Sequence, residues 1–183
     1  MKVNSRIRKL LKTIGEILID QPYDQIDRRQ ALDDLRKWLT QTDNKQVKRT
    51  LIEFIGDSDP TVRCAAIDEA LKWNALLSDG EIMAKILPEL YSEYEYIRGT
   101  ILYGLYSYDI TDNQMIESLK HTLQYDSSPD VRHHAASLLG RSKNASAKLV
   151  LEQARDNDFE KNYEGITVSQ SAESALRELG MTK

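Results

Sequence analysis

A short motif returns about every 35 residues along the chain and constrains its fold more than any other feature. It reads Asp57-Ser-Asp-Pro-Thr-Val-Arg63-Cys-Ala-Ala, then Glu95-Tyr-Ile-Arg98-Gly-Thr-Ile, then Asp126-Ser-Ser-Pro-Asp-Val-Arg132-His-His-Ala-Ala. Val62, Ile97 and Val131 stand 35 and 34 positions apart, and each is followed by arginine. Weaker echoes flank them. Ile26 lies 36 before Val62 and Val168 lies 37 after Val131, with Asp27 and Ser169 in the arginine's place. A fixed period in this range marks stacked repeats, in which each unit buries its apolar face only against its neighbours. Such a chain presents a surface rather than a pocket.

The spacing of apolar residues is helical throughout, and no alternating run supports a sheet. Val3, Ile7, Leu10, Leu11, Ile14, Ile17 and Leu18 predict a first amphipathic helix, best read as an end helix docked on the next repeat. Pro22 marks a turn, and a second helix spans about Asp24 to Leu39. Lys45 to Ile55 follows, with Gly56 as a left-handed stop. Asp59-Pro60 opens a helix to about Trp73, the aspartate capping orphan N–H groups and the proline tolerated in the first turn. Asp79 caps a helix to about Ser92, which Pro88 kinks by removing a backbone donor. Tyr94 to Tyr108 is next, and Thr111 caps a helix to Gln124. Ser128-Pro129 repeats the cap-and-proline opening of a helix that Gly140 ends. Ala145 to Asp156 and Thr167 to Leu179, with Gly180 as the stop, complete ten helices in five hairpins. The approximate repeats are 1–40, 45–74, 79–108, 111–141 and 144–180, in a single domain spanning 1–183.

The pattern Asp-x-x-Pro-x-Val-Arg-x-x-Ala-Ala resembles the HEAT-repeat family, above all its short bacterial members. Asp57 to Arg63 and Asp126 to Arg132 share a six-residue step like the family's acidic–basic pair. Pro88 is similar to the proline that bends the first helix of a HEAT unit. The pairs Ala65-Ala66 and Ala135-Ala136 match the small residues that let its second helix pack closely. The resemblance implies an all-α fold, a right-handed α–α superhelix of about five helical hairpins. It is strong over about Lys45 to Gly140 and weaker at the ends. It also implies that Arg63, Arg98 and Arg132 form a structural ladder between repeats with Asp57 and Asp126 as partners. A phosphate-binding arginine row is the rival reading.

Charge narrows the function. The formal net charge of −4 argues against general nucleic-acid binding, in which a basic stripe supplies most of the affinity. No stretch approaches the length of a membrane span and no signal peptide is present, so a cytoplasmic location is expected. The one cysteine, Cys64, is read as a small packed residue. The adjacent His133 and His134 point about 100° apart on a helix and make a poor chelating pair; a solvated pair beside Arg132 is expected. No catalytic set, metal cluster or phosphate loop is found, and no cofactor or metal is expected.

The sharper signal is tyrosine: Tyr91, Tyr94, Tyr96, Tyr103, Tyr106 and Tyr108 crowd one short region. At 100° per residue, Ile97, Ile101, Leu105 and Tyr108 share one helix face, and Tyr96, Tyr103 and Tyr106 lie roughly opposite. In a HEAT unit the second helix lines the concave wall, and tyrosine is enriched at binding hot spots. Tyr96, Tyr103 and Tyr106, with Glu93 and Glu95 beside them, are therefore the candidate partner-binding residues; packing against adjoining repeats is the competing explanation. The irregular stretch 157–165, which carries Phe159 and Tyr163, is a second candidate. These features predict a non-catalytic, monomeric protein-binding module. Its most specific form is a bacterial immunity-like protein or adaptor that covers a basic toxin domain. The resemblance leaves two alternatives: a bilin lyase or chaperone acting on phycobiliproteins, and, against the charge, a DNA-binding HEAT-like protein.

Overall fold

The structure, a computed structural model, describes residues 2–20, 25–73 and 80–180. Among these residues there are ten α-helices and no strand. They are α1 Lys2–Asp20, α2 Gln25–Gln41, α3 Asn44–Ile55, α4 Pro60–Lys72 and α5 Gly80–Ile86, then α6 Glu95–Leu105, α7 Asn113–Tyr125, α8 Pro129–Arg141, α9 Lys148–Asn157 and α10 Val168–Glu178. The all-helical reading of the sequence is correct. The expected turn at Pro22, the helix start at Asp24 and the cap at Asp79 lie outside the described residues. The chain divides into two compact units, Met1–Ile101 and Leu102–Lys183, with the boundary inside α6.

In the first unit, α1 packs on α2 and on α4, α3 packs on α4, and α3 also meets α5. The N-terminal helix is thus docked, and Ile7, Leu11 and Ile14 are buried. Gly15 makes the α1–α4 approach possible, because a Cβ there would stand 2.0 Å from the Thr61 carbonyl oxygen. Two ion pairs flank the contact: Arg8 grips Asp57 at 2.7 Å and Lys12 reaches Asp59 at 3.2 Å. Asp59 also caps α4, accepting from the Thr61 backbone N–H and hydroxyl. That hydroxyl bond is the main reason its carboxyl is held down at about 2. Pro88 does what its missing N–H dictates: α5 stops at Ile86 and continues as a 3₁₀ turn, Leu87–Tyr91.

In the second unit, α7 pairs with α8 and α9 with α10, while α8 lies on α10 and α9 on α7. Leu138, Leu139, Leu151, Leu176 and the small residues Ala135, Ala136, Ala172 and Ala175 fill the interior. Three terminus assignments need correction. Gly140 does not end α8, which continues to Arg141. It sits where α8 crosses α10, with room for no side chain: a Cβ would lie 2.7 Å from Ala175 Cα. Gly56 is not a left-handed stop, since its φ is −95°. The cap of α7 is Asp112, whose carboxylate accepts from the Met115 N–H at 3.0 Å, not Thr111. The Thr167 start of α10 is a full capping box with Gln170.

Candidate functional site

The repeated arginines share one bond. Arg63 donates to the backbone oxygen of Asp57 at 2.9 Å, Arg98 to that of Ser92 at 2.8 Å, and Arg132 to that of Asp126 at 2.7 Å. In each case the guanidinium reaches six residues back to the loop that precedes its own helix. The partner of Arg63 is therefore the carbonyl of Asp57, not its carboxylate. Arg8 and the Asp59 N–H already occupy that carboxylate, and Arg8 holds its pKa below the usual range. Arg63 also stands 3.4 Å from Glu89, an ion pair in which its Nε lacks an aligned hydrogen bond.

Arg132 goes further. It is buried, and besides Asp126 it grips Asp158 at 2.6 and 3.1 Å and Glu160 at 2.9 Å. Charge-assisted fork geometry of this kind fixes position as well as adding energy. It anchors residues 158–167, which link α9 to α10. The Asn162 N–H donates to the Ile166 oxygen at 2.9 Å, and the Gly165 N–H to the Asn162 oxygen at 2.9 Å. The buried Asn162 side chain accepts from the Glu164 and Ile166 N–H groups. Gly165 takes φ +83°, which a side chain would resist. The Tyr163 N–H donates to Asp130 of α8 at 2.9 Å. The stretch that reads as irregular in sequence is thus a tied-down hairpin-like loop, and it projects Phe159 and Tyr163 outward, the latter 79% exposed.

The tyrosines divide. On α6, Ile97, Ile101, Leu102 and Leu105 are fully buried, while Tyr103 is 73% exposed. Tyr106 is half-buried: its hydroxyl lies 3.2 Å from His134 Nδ1, and Arg141 covers its ring at 5.3 Å. Packing against its own unit accounts for much of Tyr106, as the competing explanation for the cluster holds. Tyr108 is half-buried too, and burial pushes its hydroxyl up to about 12. In the first unit Tyr96 is half-buried against Tyr94, ring centroids 5.5 Å apart, and Glu93 and Glu95 are exposed. Arg63 stands over the Tyr94 ring at 5.7 Å.

The histidines are not a solvated pair. Both are half-buried, with rings 5.1 Å apart and edge-on, and burial lowers both pKa values. His133 Nδ1 lies 2.6 Å from Ser171 Oγ, and that hydroxyl donates to the Thr167 oxygen at 3.2 Å. The neighbouring His134 and Tyr106 complete a polar strip from α10 across α8 to the turn just past α6.

Together Tyr103, Tyr106, Ser107, His133, His134, Asn162, Tyr163 and Glu164 line a recess of about 480 Å³ in the second unit. Of the residues singled out in sequence, Tyr103, Tyr106 and Tyr163 meet here. Glu164, Asn162 and the half-buried placement of the histidines are not evident from the sequence. The alternating acids Asp158 and Glu160, 26 and 28 positions beyond Arg132, are the sequence signal that this arginine would hold the loop. In the first unit, Cys64 is packed as expected, its Sγ 3.4 Å from Thr100 Oγ1 and its pKa raised by burial. Among the described residues no cluster suits a metal ion, and no helix is long and apolar enough to cross a membrane.

Residues 42–70, which hold α3 and most of α4, match the profile of the Cohesin_HEAT family, described as a HEAT repeat associated with sister chromatid cohesion. No curated protein matches the chain. The matched stretch contains Asp57, Pro60, Val62 and Arg63, the residues of the recurring motif, and the helical hairpin α3–α4 that they build is a HEAT repeat.

Proposed function

We propose that the chain is a non-catalytic protein-interaction module of the HEAT type. Its contact surface in the second unit is centred on Tyr103 and Tyr163. One observation carries this reading: two large aromatic side chains stand mostly in solvent at the rim of one recess. One of them sits on a loop that a buried arginine fork holds in place. Exposed tyrosines on rigid supports lose little entropy on docking and bury much area, the usual character of a hot spot. Glu93, Glu95 and Tyr96 supply a second, separate contact area in the first unit. The acidic balance and the carboxylate at the recess favour a basic partner, and an immunity-like protein that covers a toxin domain is the most specific form of the proposal.

The test is capture on immobilised wild-type chain in its native cell extract, followed by binary titration of the captured protein. Tyr103→Ala should weaken that complex at least about tenfold with little change in melting temperature. Equal affinity for wild type and variant would sink the assignment of this surface.

A further inference from the structure

We propose that the recess beside Tyr103 and Tyr163 receives the guanidinium of an arginine side chain presented by a protein partner. The inference rests on the interaction-module reading above and narrows it to one chemical group.

Three observations point to a planar cation. First, the mouth of the recess carries two phenol rings, 73% and 79% exposed, whose faces are electron-rich. Second, the one ionised side chain lining the recess is a carboxylate. It is that of Glu164, and Asp130 stands behind, with one carboxylate oxygen on the Tyr163 N–H. Neither lysine nor arginine is among the lining residues, and burial keeps His133 and His134 in their neutral forms near pH 7. Glu164 uses Oε1 for the Tyr163 hydroxyl at 3.2 Å, and Oε2 is the acceptor we assign to the ligand. Third, the chain already pairs these groups elsewhere. Arg63 stands 5.7 Å from the Tyr94 ring centroid and 3.4 Å from Glu89 in the first unit, while Arg141 stands 5.3 Å from the ring of Tyr106 at the recess itself, leaving the Tyr103 and Tyr163 rings for the ligand. A guanidinium both stacks on a ring and forks to a carboxylate, which an ammonium does not do. Arginine is therefore preferred over lysine.

The experiment is an amide proton–nitrogen NMR titration of the full chain with N-acetyl-arginine N-methylamide. The citrulline analogue, of the same shape but uncharged, and the lysine analogue are run beside it. We expect saturable shifts at the Tyr103, Tyr163, Glu164 and Gly165 amides with arginine. Affinity should be about tenfold lower with citrulline and clearly lower with lysine. Glu164→Gln should weaken the arginine response several-fold while amide signals away from the recess keep their positions. Absence of shifts, equal response to citrulline, tighter binding of lysine, or shifts confined to other surfaces would each overturn the proposal. Failure here with successful Tyr103-dependent capture removes only the arginine assignment. Arginine binding without such capture removes the broader reading and leaves the recess as a small-ligand site.

Discussion

Two helical glycines separate close helix packing from simple helix propensity. Alanine in place of glycine inside a helix is worth about 0.8–1 kcal/mol by propensity alone. At Gly99 an added Cβ meets no atom within 4 Å, so Gly99→Ala should realise most of that gain. At Gly140 the same methyl group would lie 2.7 Å from Ala175 Cα, 2.8 Å from Ala175 Cβ and 3.2 Å from its carbonyl oxygen. Carbon atoms settle at about 3.5–4.0 Å, so α8 and α10 must part by nearly an ångström at their crossing. Overpacking of this kind costs about 1–3 kcal/mol, which exceeds the propensity gain in most of its range. The two variants should therefore differ by about 2 kcal/mol, or about 4–8 °C in melting temperature for a chain of this size. Thermal melts followed by circular dichroism at the helical minimum read this directly. If Gly140→Ala melts at or above Gly99→Ala, the α8–α10 crossing is not as close as described and the reasoning fails.

Other expectations follow from the charged groups. Arg132→Lys keeps the charge but loses the fork onto Asp158 and Glu160, so it should cost about 1–3 kcal/mol and raise amide exchange across residues 158–166. A destabilised chain with unchanged exchange in that loop would contradict the anchoring role. His133 and His134 have folded-state pKa values below the ordinary 6.5, so their neutral forms favour folding above that value. Their contribution should fade as pH falls from about 6.5 through the lowered folded values, and His133→Asn/His134→Asn should flatten urea-monitored stability over that window. Glu69 behaves in the opposite sense. Burial raises its pKa and Oε1 has no hydrogen-bond partner, so its contribution is present at low pH and lost as pH rises. Glu69→Gln should raise the melting temperature near pH 7.5 and have little effect near pH 4; a pH-independent difference would show that the carboxyl is not the source.

Much of this architecture can be read from the sequence, and the reasons are local. Asp59-Pro60 and Ser128-Pro129 open helices because caps and first-turn prolines act within a few residues. The place of Tyr103 in solvent follows from helical spacing against Ile97, Ile101 and Leu105. What failed depended on partners distant in sequence. Gly140 looks like a stop until Ala175 is seen against it. Asp57 looks like the partner of Arg63 until Arg8, 49 positions earlier, is seen to occupy its carboxylate. His133 and His134 look solvated until Ser171 and Tyr106 close over them. The loop at 158–167 shows only the acids Asp158 and Glu160 as a pattern, because its order comes from Arg132 and from Asn162 turning back on its own backbone.

On the proposed reading, recognition happens at the outward tyrosines of the second unit and needs no reactive group. Photo-crosslinking in the native cell tests it most directly, with p-benzoylphenylalanine placed at Tyr103, at Tyr163 and, as a control, at the exposed Leu149. One discrete protein adduct is expected from positions 103 and 163 and none from 149. No adduct at either tyrosine, or the same adduct at all three positions, would contradict it.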